Sequence, residues 1–320
     1  MNYLGESIAI VVACSWTCTA LFFEYAGKRI GSLQVNLIRL LFAGMMLGAL
    51  LFLTSGHFFP IGADAKAWLW LSLSGLVGFV FGDFCLFYSY TLITSRFSQL
   101  IMTLAPPFAA LFGFMLLNEQ TGVMGLTGMA ITLTGIAISI LKRSQGSNGN
   151  MGFTLHLPLR GIVLALCGAL GQGLGIVLSK KGMFYYEQSL GAAEFFNNYI
   201  PFAATLIRVF TGILGFTLII LLTGRGPKLA QAVRDRRGMW ATFGGSFFGP
   251  FLGVSLSLMA VRHTETGIAS TIMATVPILI LLPYAIIYKQ KPKWIEVAGA
   301  ILCVLGVACF FIRLKFPSLV

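Results

Sequence analysis

Ten apolar runs follow one another along this 320-residue chain, and they constrain its fold more than any other feature. A helix needs about 20 mainly apolar residues to cross a bilayer, because its backbone polar groups must be satisfied within the segment. The runs predict spanning helices, called spans 1 to 10, near residues 4–25, 33–54, 67–90, 97–117, 121–141, 161–181, 200–222, 239–261, 265–288 and 294–313. With 57% hydrophobic and 10% charged residues, the chain has too little polar surface for a sizeable soluble domain.

The two halves of the chain repeat each other. A polar linker at 142–160 separates a first unit, 1–141, from a second unit, 161–320. Three landmark pairs recur at offsets of 169 to 171 residues: Arg39 and Arg208, Pro107 and Pro277, and Gly135 and Gly306. Since each unit has an odd number of spans, the second unit must cross the membrane upside down. The sequence therefore predicts an all-α membrane protein with ten transmembrane helices in two inverted five-helix repeats.

Inverted repeats are typical of secondary transporters, whose substrate site lies near the midplane between the halves. Prolines interrupt spans 4, 8 and 9 at Pro106, Pro107, Pro250, Pro277 and Pro283. Each proline frees a backbone carbonyl, which is tolerated at membrane depth only where protein or a wet cavity satisfies it. We therefore expect the pathway among spans 1, 3, 4, 6, 8 and 9. The candidate pathway residues are Trp16, Asp83, Tyr88, Pro107, Gln172, Pro250 and Pro277.

Asp83 in span 3 is the most deeply placed ionisable residue. Ionisable groups inside a membrane are costly and tend to mark pathways or proton relays. A carboxylate at this depth would suit reversible protonation coupled to a proton gradient. The alternative is a fixed hydrogen bond to a neighbouring helix through Ser89, Tyr88 or Tyr90.

Four further charges are candidates for structural or gate roles. Arg39 and Arg208 occupy matched positions in spans 2 and 7, so inversion predicts that they lie toward opposite faces. Structural pairing is favoured over substrate binding for both, because an arginine stem can snorkel toward the interface. Glu24 and Glu119 lie near span ends, where we expect solvated helix caps.

One departure from the repeat marks an inserted segment. Trp16 matches Gln172 at an offset of only 156, which indicates about 13 additional residues within 184–199. Aromatic and polar residues alternate there, as in a segment anchored at headgroup level. The alternative interpretation is a lid over one mouth of the pathway.

Composition also excludes several classes of function. The net charge of +12 arises from basic residues between the apolar runs, so it indicates topology rather than nucleic-acid binding. The six cysteines and three histidines have no metal-ligand spacing, and no phosphate-binding glycine loop ends in GK[ST]. We expect no catalytic group, metal or cofactor, and the chain is not expected to be an enzyme.

Several motifs resemble one family. These are Trp16 in span 1, Arg39 in span 2, the segment Tyr90–Leu92, the block APPFAALFGFMLLNEQTG, and LTGIAI in span 5. Together they resemble the drug/metabolite transporter superfamily, and within it the EamA-type ten-helix transporters. The second repeat departs from the pattern, because it places Lys289 where the first has Glu119. The resemblance implies an inner-membrane carrier that moves a small metabolite, often an amino acid or a toxic analogue, usually outward.

The orientation of the chain has two conflicting indications. Apart from Arg39 and Arg208, the chain has 20 basic residues. With the predicted spans, 14 of them lie on the face opposite the termini and 6 on the face of the termini. The positive-inside rule then predicts that both termini are outside. The resemblance instead implies cytoplasmic termini.

Together these observations predict a multi-pass plasma-membrane protein that exports a small organic solute by alternating access. Transport is expected to be coupled to protons or to follow the solute gradient. The alternatives are an uptake carrier of the same fold, a non-transporting membrane subunit and an integral lipid-processing enzyme. The enzyme would need a cluster of His, Asp or Glu at one interface, which the sequence does not indicate. The expected partners are the solute, protons and the lipid bilayer, with no nucleic acid, and the chain is expected to be a monomer or a homodimer.

Overall fold

The computed structural model describes residues 4–117, 127–128, 130–132, 134–135, 138, 141–145, 151–155, 157–190, 199–263, 272–289 and 293–311. Within these ranges, six helices are long and apolar enough to cross a membrane: Leu4–Ile30, Ser32–Ser55, Ala65–Met102, Leu159–Leu190, Ile200–Leu222 and Arg236–Ala260. Three shorter apolar helices are Ala105–Leu116, Val276–Tyr288 and Trp294–Gly306. These helices agree with the predicted class of membrane protein. The total of ten transmembrane helices stays a prediction.

Residues 4–117 of the first half form five α-helical elements and one π-helical segment. They are α1 (Leu4–Ile30), α2 (Ser32–Ser55), α3 (Ala65–Gly75), π1 (Leu76–Asp83), α4 (Phe84–Met102) and α5 (Ala105–Leu117). Gly31, with a φ of 90°, is the single residue between α1 and α2. The sequence predicts a gap between spans 3 and 4. In the structure α4 runs through this region and is interrupted only at Thr94, which has a φ of 70° and a ψ of 160°.

The second half begins after a short hairpin. Strand β1 (Leu141–Gln145) pairs with β2 (Met151–Leu155) in antiparallel register. All of the hairpin except Leu141 lies within the predicted linker. The following helices are α6 (Leu159–Leu190), α7 (Ile200–Leu222), α8 (Gly226–Arg234), α9 (Arg236–Ser246), π2 (Phe247–Gly253), α10 (Val254–His263), α11 (Val276–Leu279), α12 (Leu281–Tyr288) and α13 (Trp294–Phe311). The division into two units with these limits stays a prediction.

The two π-helical segments occupy matched places in the repeat. Leu76 begins π1 and Phe247 begins π2, an offset of 171 residues. A π segment widens one turn of a helix and is found frequently at functional sites. Pro250 is buried within π2, where the lost backbone donor fits the irregular turn.

Helices of the two halves interleave. Helix α1 packs against α9, π2 and α10, and α6 correspondingly packs against α3, π1 and α4. Helices α2 and α7 cross at Gly44 and Gly212, where an added Cβ would lie 3.3 Å from Val209 Cγ1 and 2.6 Å from Leu40 Cδ1, respectively. Small residues at such a crossing let two membrane helices approach closely. The main buried cluster lies around this crossing and includes Phe79.

The inserted segment is partly helical. Residues 184–190 form the last two turns of α6, while 191–198 lie outside the described residues. Tyr186 is buried and its hydroxyl donates to the Ile61 carbonyl over 2.8 Å, and Ser189 donates to the Gly62 carbonyl over 2.6 Å. The first part of the insertion therefore packs against the loop between α2 and α3. A lid role stays a prediction.

Candidate functional site

Asp83 is the last residue of π1 and lies buried between the halves, with 6% of its surface exposed. Arg39 of α2 donates from Nη2 to Asp83 Oδ2, and Gln172 of α6 donates from Nε2 to Asp83 Oδ1. The same Gln172 amide donates to the Gly78 carbonyl over 3.2 Å. One carboxylate therefore connects π1 to a helix from each half.

Asp83 has hydrogen bonds to neighbouring helices, as the alternative predicts. Within the described residues, these bonds do not run through the predicted Ser89, Tyr88 or Tyr90. The Ser89 hydroxyl donates to the Leu86 carbonyl over 2.6 Å, and its oxygen lies 2.8 Å from Ser98 Oγ. At 3.6 residues per turn, Tyr88 and Ser89 lie on other faces of the helix from Asp83, and Tyr90 lies almost two turns further on. Asp83 is consequently bonded across helices rather than within its own helix.

Arg39 and Arg208 meet at one aromatic ring, which contradicts the prediction that they lie toward opposite faces. The Cζ atoms of Arg39 and Arg208 lie 5.4 Å and 4.5 Å from the centroid of Phe79. Each arginine is about eight residues into its helix, roughly 12 Å from the helix start at 1.5 Å per residue. Half of a bilayer core is about 15 Å thick, so helices that start at opposite surfaces of the core would bring both long side chains close to its midplane.

The environments of the two arginines differ. Arg39 donates from Nε to Asn36 Oδ1 over 3.1 Å and also lies on the rings of Phe23 and Phe87. Arg208 is only 4% exposed, and its Nε has no hydrogen-bond acceptor among the described residues. We call Arg39, Asp83, Gln172 and Arg208 the midplane cluster. Its formal charge, with both guanidinium groups and the carboxylate ionised, is +1.

Trp16 and Gln172 pack against matched glycines of the two π segments, Trp16 through its indole ring and Gln172 through its backbone. A Cβ added to Gly253 in π2 would lie 2.7 Å from the Trp16 indole ring. A Cβ added to Gly82 in π1 would lie 3.3 Å from the backbone nitrogen of Gln172. Each residue thus packs directly on the π segment of the other half, which supports the pairing inferred from the repeat.

Glu24 forms a second buried cluster, and its prediction as a solvated cap was wrong. Its side chain is fully buried, because α1 continues to Ile30 instead of ending at residue 25. Glu24 accepts hydrogen bonds from Lys28 Nζ and from Ser95 Oγ, and from the Ser95 backbone N–H over 2.8 Å. The carboxylate therefore caps the helical turn that restarts after the break at Thr94, where negative charge is favourable.

Aromatic and charged side chains extend this cluster to α12 and α13. Tyr284 and Tyr288 stack with their centroids 4.4 Å apart, and Lys28 lies 5.5 Å from the Tyr288 ring. Arg96 lies 5.1 Å from the Tyr284 ring and forms a 3.1 Å ion pair with Glu296. We call Glu24, Lys28, Ser95, Arg96, Tyr284, Tyr288 and Glu296 the Glu24 cluster. It joins α1, α4, α12 and α13 near the face opposite the termini.

The remaining candidates lie elsewhere. Tyr88 contacts Arg160, whose Cζ is 5.2 Å from the Tyr88 ring. Pro107 is buried near the start of α5, and Glu119 lies outside the described residues. Pro277 lines a small pocket next to the Glu24 cluster together with Arg96, Phe97, Leu100, Leu281, Glu296 and Ala300. Among the predicted pathway residues, Gln172 alone bonds to Asp83 within the described part of the chain.

Comparison with known proteins identifies the class of this bundle. The model of the EamA-like transporter family matches residues 3–141 and again residues 159–312. The chain belongs to the EamA-like transporter family. The resemblance inferred from sequence motifs is thereby confirmed, as is an all-α membrane fold with two repeats. For an EamA-like chain the class of activity is membrane transport of small solutes, and its environment is the lipid bilayer.

Solved structures support the fold of this EamA-like protein. One crystal structure of a protein aligns with a TM-score of 0.59 at 16% sequence identity, and covers 97% of this chain and 96% of that chain. A likeness at this identity concerns the fold alone. No significant match to a curated protein was found.

Proposed function

We propose that this EamA-like protein is a secondary active transporter that exports a small organic solute across the plasma membrane by alternating access. The observation that carries the proposal is the midplane cluster. Asp83, the last residue of π1, accepts hydrogen bonds from Arg39 of the first half and from Gln172 of the second half. Buried ionisable groups at such an interface are typical of a substrate or ion pathway.

The Glu24 cluster supports an alternating-access cycle. The Arg96–Glu296 ion pair joins α4 to α13. The cation–π contacts of Lys28 with Tyr288 and of Arg96 with Tyr284 join α1 and α4 to α12. Separation of these helices would open a path toward the face opposite the termini. Ten helices in two inverted repeats would place an equivalent opening on the other face.

Proton coupling through Asp83 is part of the proposal. Protonation would neutralise the carboxylate and weaken its ion pair with Arg39, which would loosen the contact between π1 and α2. A proton gradient could in this way drive the exchange between two arrangements of the halves.

Flux into inside-out and right-side-out vesicles, with and without a proton gradient, tests this function. Candidate solutes come from a growth screen of overexpressing cells against toxic amino-acid and metabolite analogues. Export predicts tolerance and accumulation in inside-out vesicles, whereas sensitisation would favour uptake. Full gradient-dependent transport in Asp83→Asn would contradict proton coupling at this residue. A chain that moves none of the selected solutes in either vesicle would favour the non-transporting subunit.

A further inference from the structure

The midplane cluster has one cation more than its single carboxylate balances. Asp83 has direct bonds to Arg39 and Gln172, and Arg208 lies within electrostatic range of the same carboxylate without a hydrogen bond to it. A buried charge is costly unless it is paired and hydrogen-bonded. Arg39 meets this condition through Asp83 and Asn36, whereas Arg208 does not.

Among the described residues, the Nε atom of Arg208 has no hydrogen-bond acceptor, so this edge of the guanidinium is available to one. The side chain lies along π1, between the Phe79 ring and Gly78, where an added Cβ would be 3.1 Å from Nη2. A Cβ at Gly75 would be 2.6 Å from the backbone oxygen of Arg208, so α3 and α7 are in close contact there. Glycine at both positions keeps side chains away from this stretch of Arg208.

Interaction with lipid does not account for Arg208. An arginine that snorkels exposes its head to the interface. Arg208 is 4% exposed and lies on a ring in the main buried cluster, beside Arg39 and Asp83. Its cation–π contact with Phe79 is shared with Arg39 and supplies no negative charge.

We propose that Arg208 binds the anionic group of the transported solute, and that this solute is a carboxylate or a similar organic monoanion. The inference rests on the proposed transport function. An oxyanion can accept two parallel N–H bonds from one guanidinium, which gives both charge compensation and orientation. A bound monoanion brings the formal charge of the midplane cluster to zero.

The charge balance has a consequence for the transport cycle. In an occluded state the cluster is shielded from water, so an uncompensated guanidinium is most costly there. With Asp83 ionised, a carrier loaded with a monoanion passes through this state with a neutral centre, whereas the centre of an unloaded carrier has a formal charge of +1. Exchange of one anion for another is therefore faster than net efflux.

Thermal stabilisation of the full-length protein in nanodiscs tests anion binding directly. The probes are acetate, butyrate and benzoate, each compared with its amide at constant ionic strength. We expect at least one carboxylate to raise the unfolding temperature and its amide to have no effect. Equal shifts with acid and amide, or no shift with any of the three acids, would overturn the proposal.

Variants assign the effect to Arg208. Arg208→Gln is expected to weaken carboxylate binding about tenfold or more, because it removes a charge-assisted hydrogen bond. Arg208→Lys keeps the charge and should retain part of the binding, while exposed Arg234→Gln serves as the matched control. Asp83→Asn removes the competing carboxylate and should strengthen binding. Undiminished carboxylate binding in Arg208→Gln would contradict the assignment.

Proteoliposome flux separates this inference from the proposed function. If counterflow of the stabilising carboxylate is faster than its net efflux, the result supports both the transport function and the anion site at Arg208. Binding without flux would contradict transport and leave the anion site standing. Flux restricted to neutral or cationic solutes would contradict the anion site and leave transport standing.

Discussion

The Gln172 side chain joins α6 to π1 through two hydrogen bonds, one to the Asp83 carboxylate and one to the Gly78 carbonyl. The sequence indicates Gln172 because it is polar within an apolar span and matches Trp16 in the repeat. Its partner could not be predicted, because the contact depends on the interleaving of α6 with π1. That arrangement is a property of the assembled bundle.

Replacement of Gln172 by Leu is expected to destabilise the folded protein by about 1.5–3 kcal/mol, since it removes a hydrogen bond to a charged group. Gln99→Leu is the matched control, because Gln99 donates to the neutral Tyr90 hydroxyl over 2.7 Å. Its loss should cost about 1 kcal/mol. Unfolding of the purified proteins in detergent measures both values. An equal or smaller effect at Gln172 would contradict a charge-assisted bond.

At the scale of elements, helix α9 begins at a cap that also contacts α1. The Asp235 carboxylate accepts the Gly238 backbone N–H over 3.0 Å and a bond from Arg29 Nε over 2.8 Å. The Arg29 guanidinium, followed by the Gly238 N–H, lowers the pKa of Asp235 below its usual value. The negative charge at a helix N-terminus is favourable as well.

Because the pKa of Asp235 is lower in the folded state, its stabilising contribution is fully present above the unfolded pKa of about 3.9. The contribution is lost as the pH falls through the folded pKa. Asp235→Asn keeps a capping oxygen but has no charge to lose. We expect the melting temperature of the unaltered protein to fall more steeply below about pH 4 than that of Asp235→Asn. If the melting temperatures of the two proteins fell in parallel below about pH 4, the Asp235–Arg29 ion pair would not contribute to stability.

The contact between α3 and α7 depends on the absence of a side chain at Gly75. An added Cβ would lie 2.6 Å from the backbone oxygen of Arg208, and backbone cannot move aside as a flexible side chain can. We expect Gly75→Ala to cost about 1–3 kcal/mol of stability through overpacking. Gly226→Ala is the control, because nothing lies within 4 Å of its added Cβ, and its effect should stay within about 0.5 kcal/mol. Similar losses in both variants would be inconsistent with this contact.

At the scale of the whole molecule, the number of basic residues and the family resemblance make opposite predictions about orientation. Helix α8 and its flanks contribute Arg225, Lys228, Arg234, Arg236 and Arg237 to a single connection. The positive-inside rule places this connection in the cytoplasm and Val320 outside. A reporter that is active only in the cytoplasm, fused after Val320, is therefore expected to be silent. An active fusion would favour cytoplasmic termini, which is the orientation that the family resemblance implies.

Much of the architecture could be predicted from sequence because hydropathy and repeat offsets are local properties. The apolar runs indicated the long helices, and the match of Arg39 with Arg208 indicated the repeat. The meeting of these arginines at Phe79 was missed, because depth along each helix does not reveal how far a side chain reaches. The amphipathic helix α8 was also missed, since its mean hydropathy is low. Burial of Glu24 was missed because α1 ends five residues later than predicted.

The interleaving of the halves has a consequence for biosynthesis. Trp16 rests on Gly253, which is synthesised 237 residues later. At about 5–20 residues per second, α1 waits roughly 12–47 seconds for this partner. Arg39 and Asp83 both belong to the first half and can pair with each other during this interval. The nascent first half can therefore enter the bilayer with these two charges already matched, and the unmatched cation arrives later with α7.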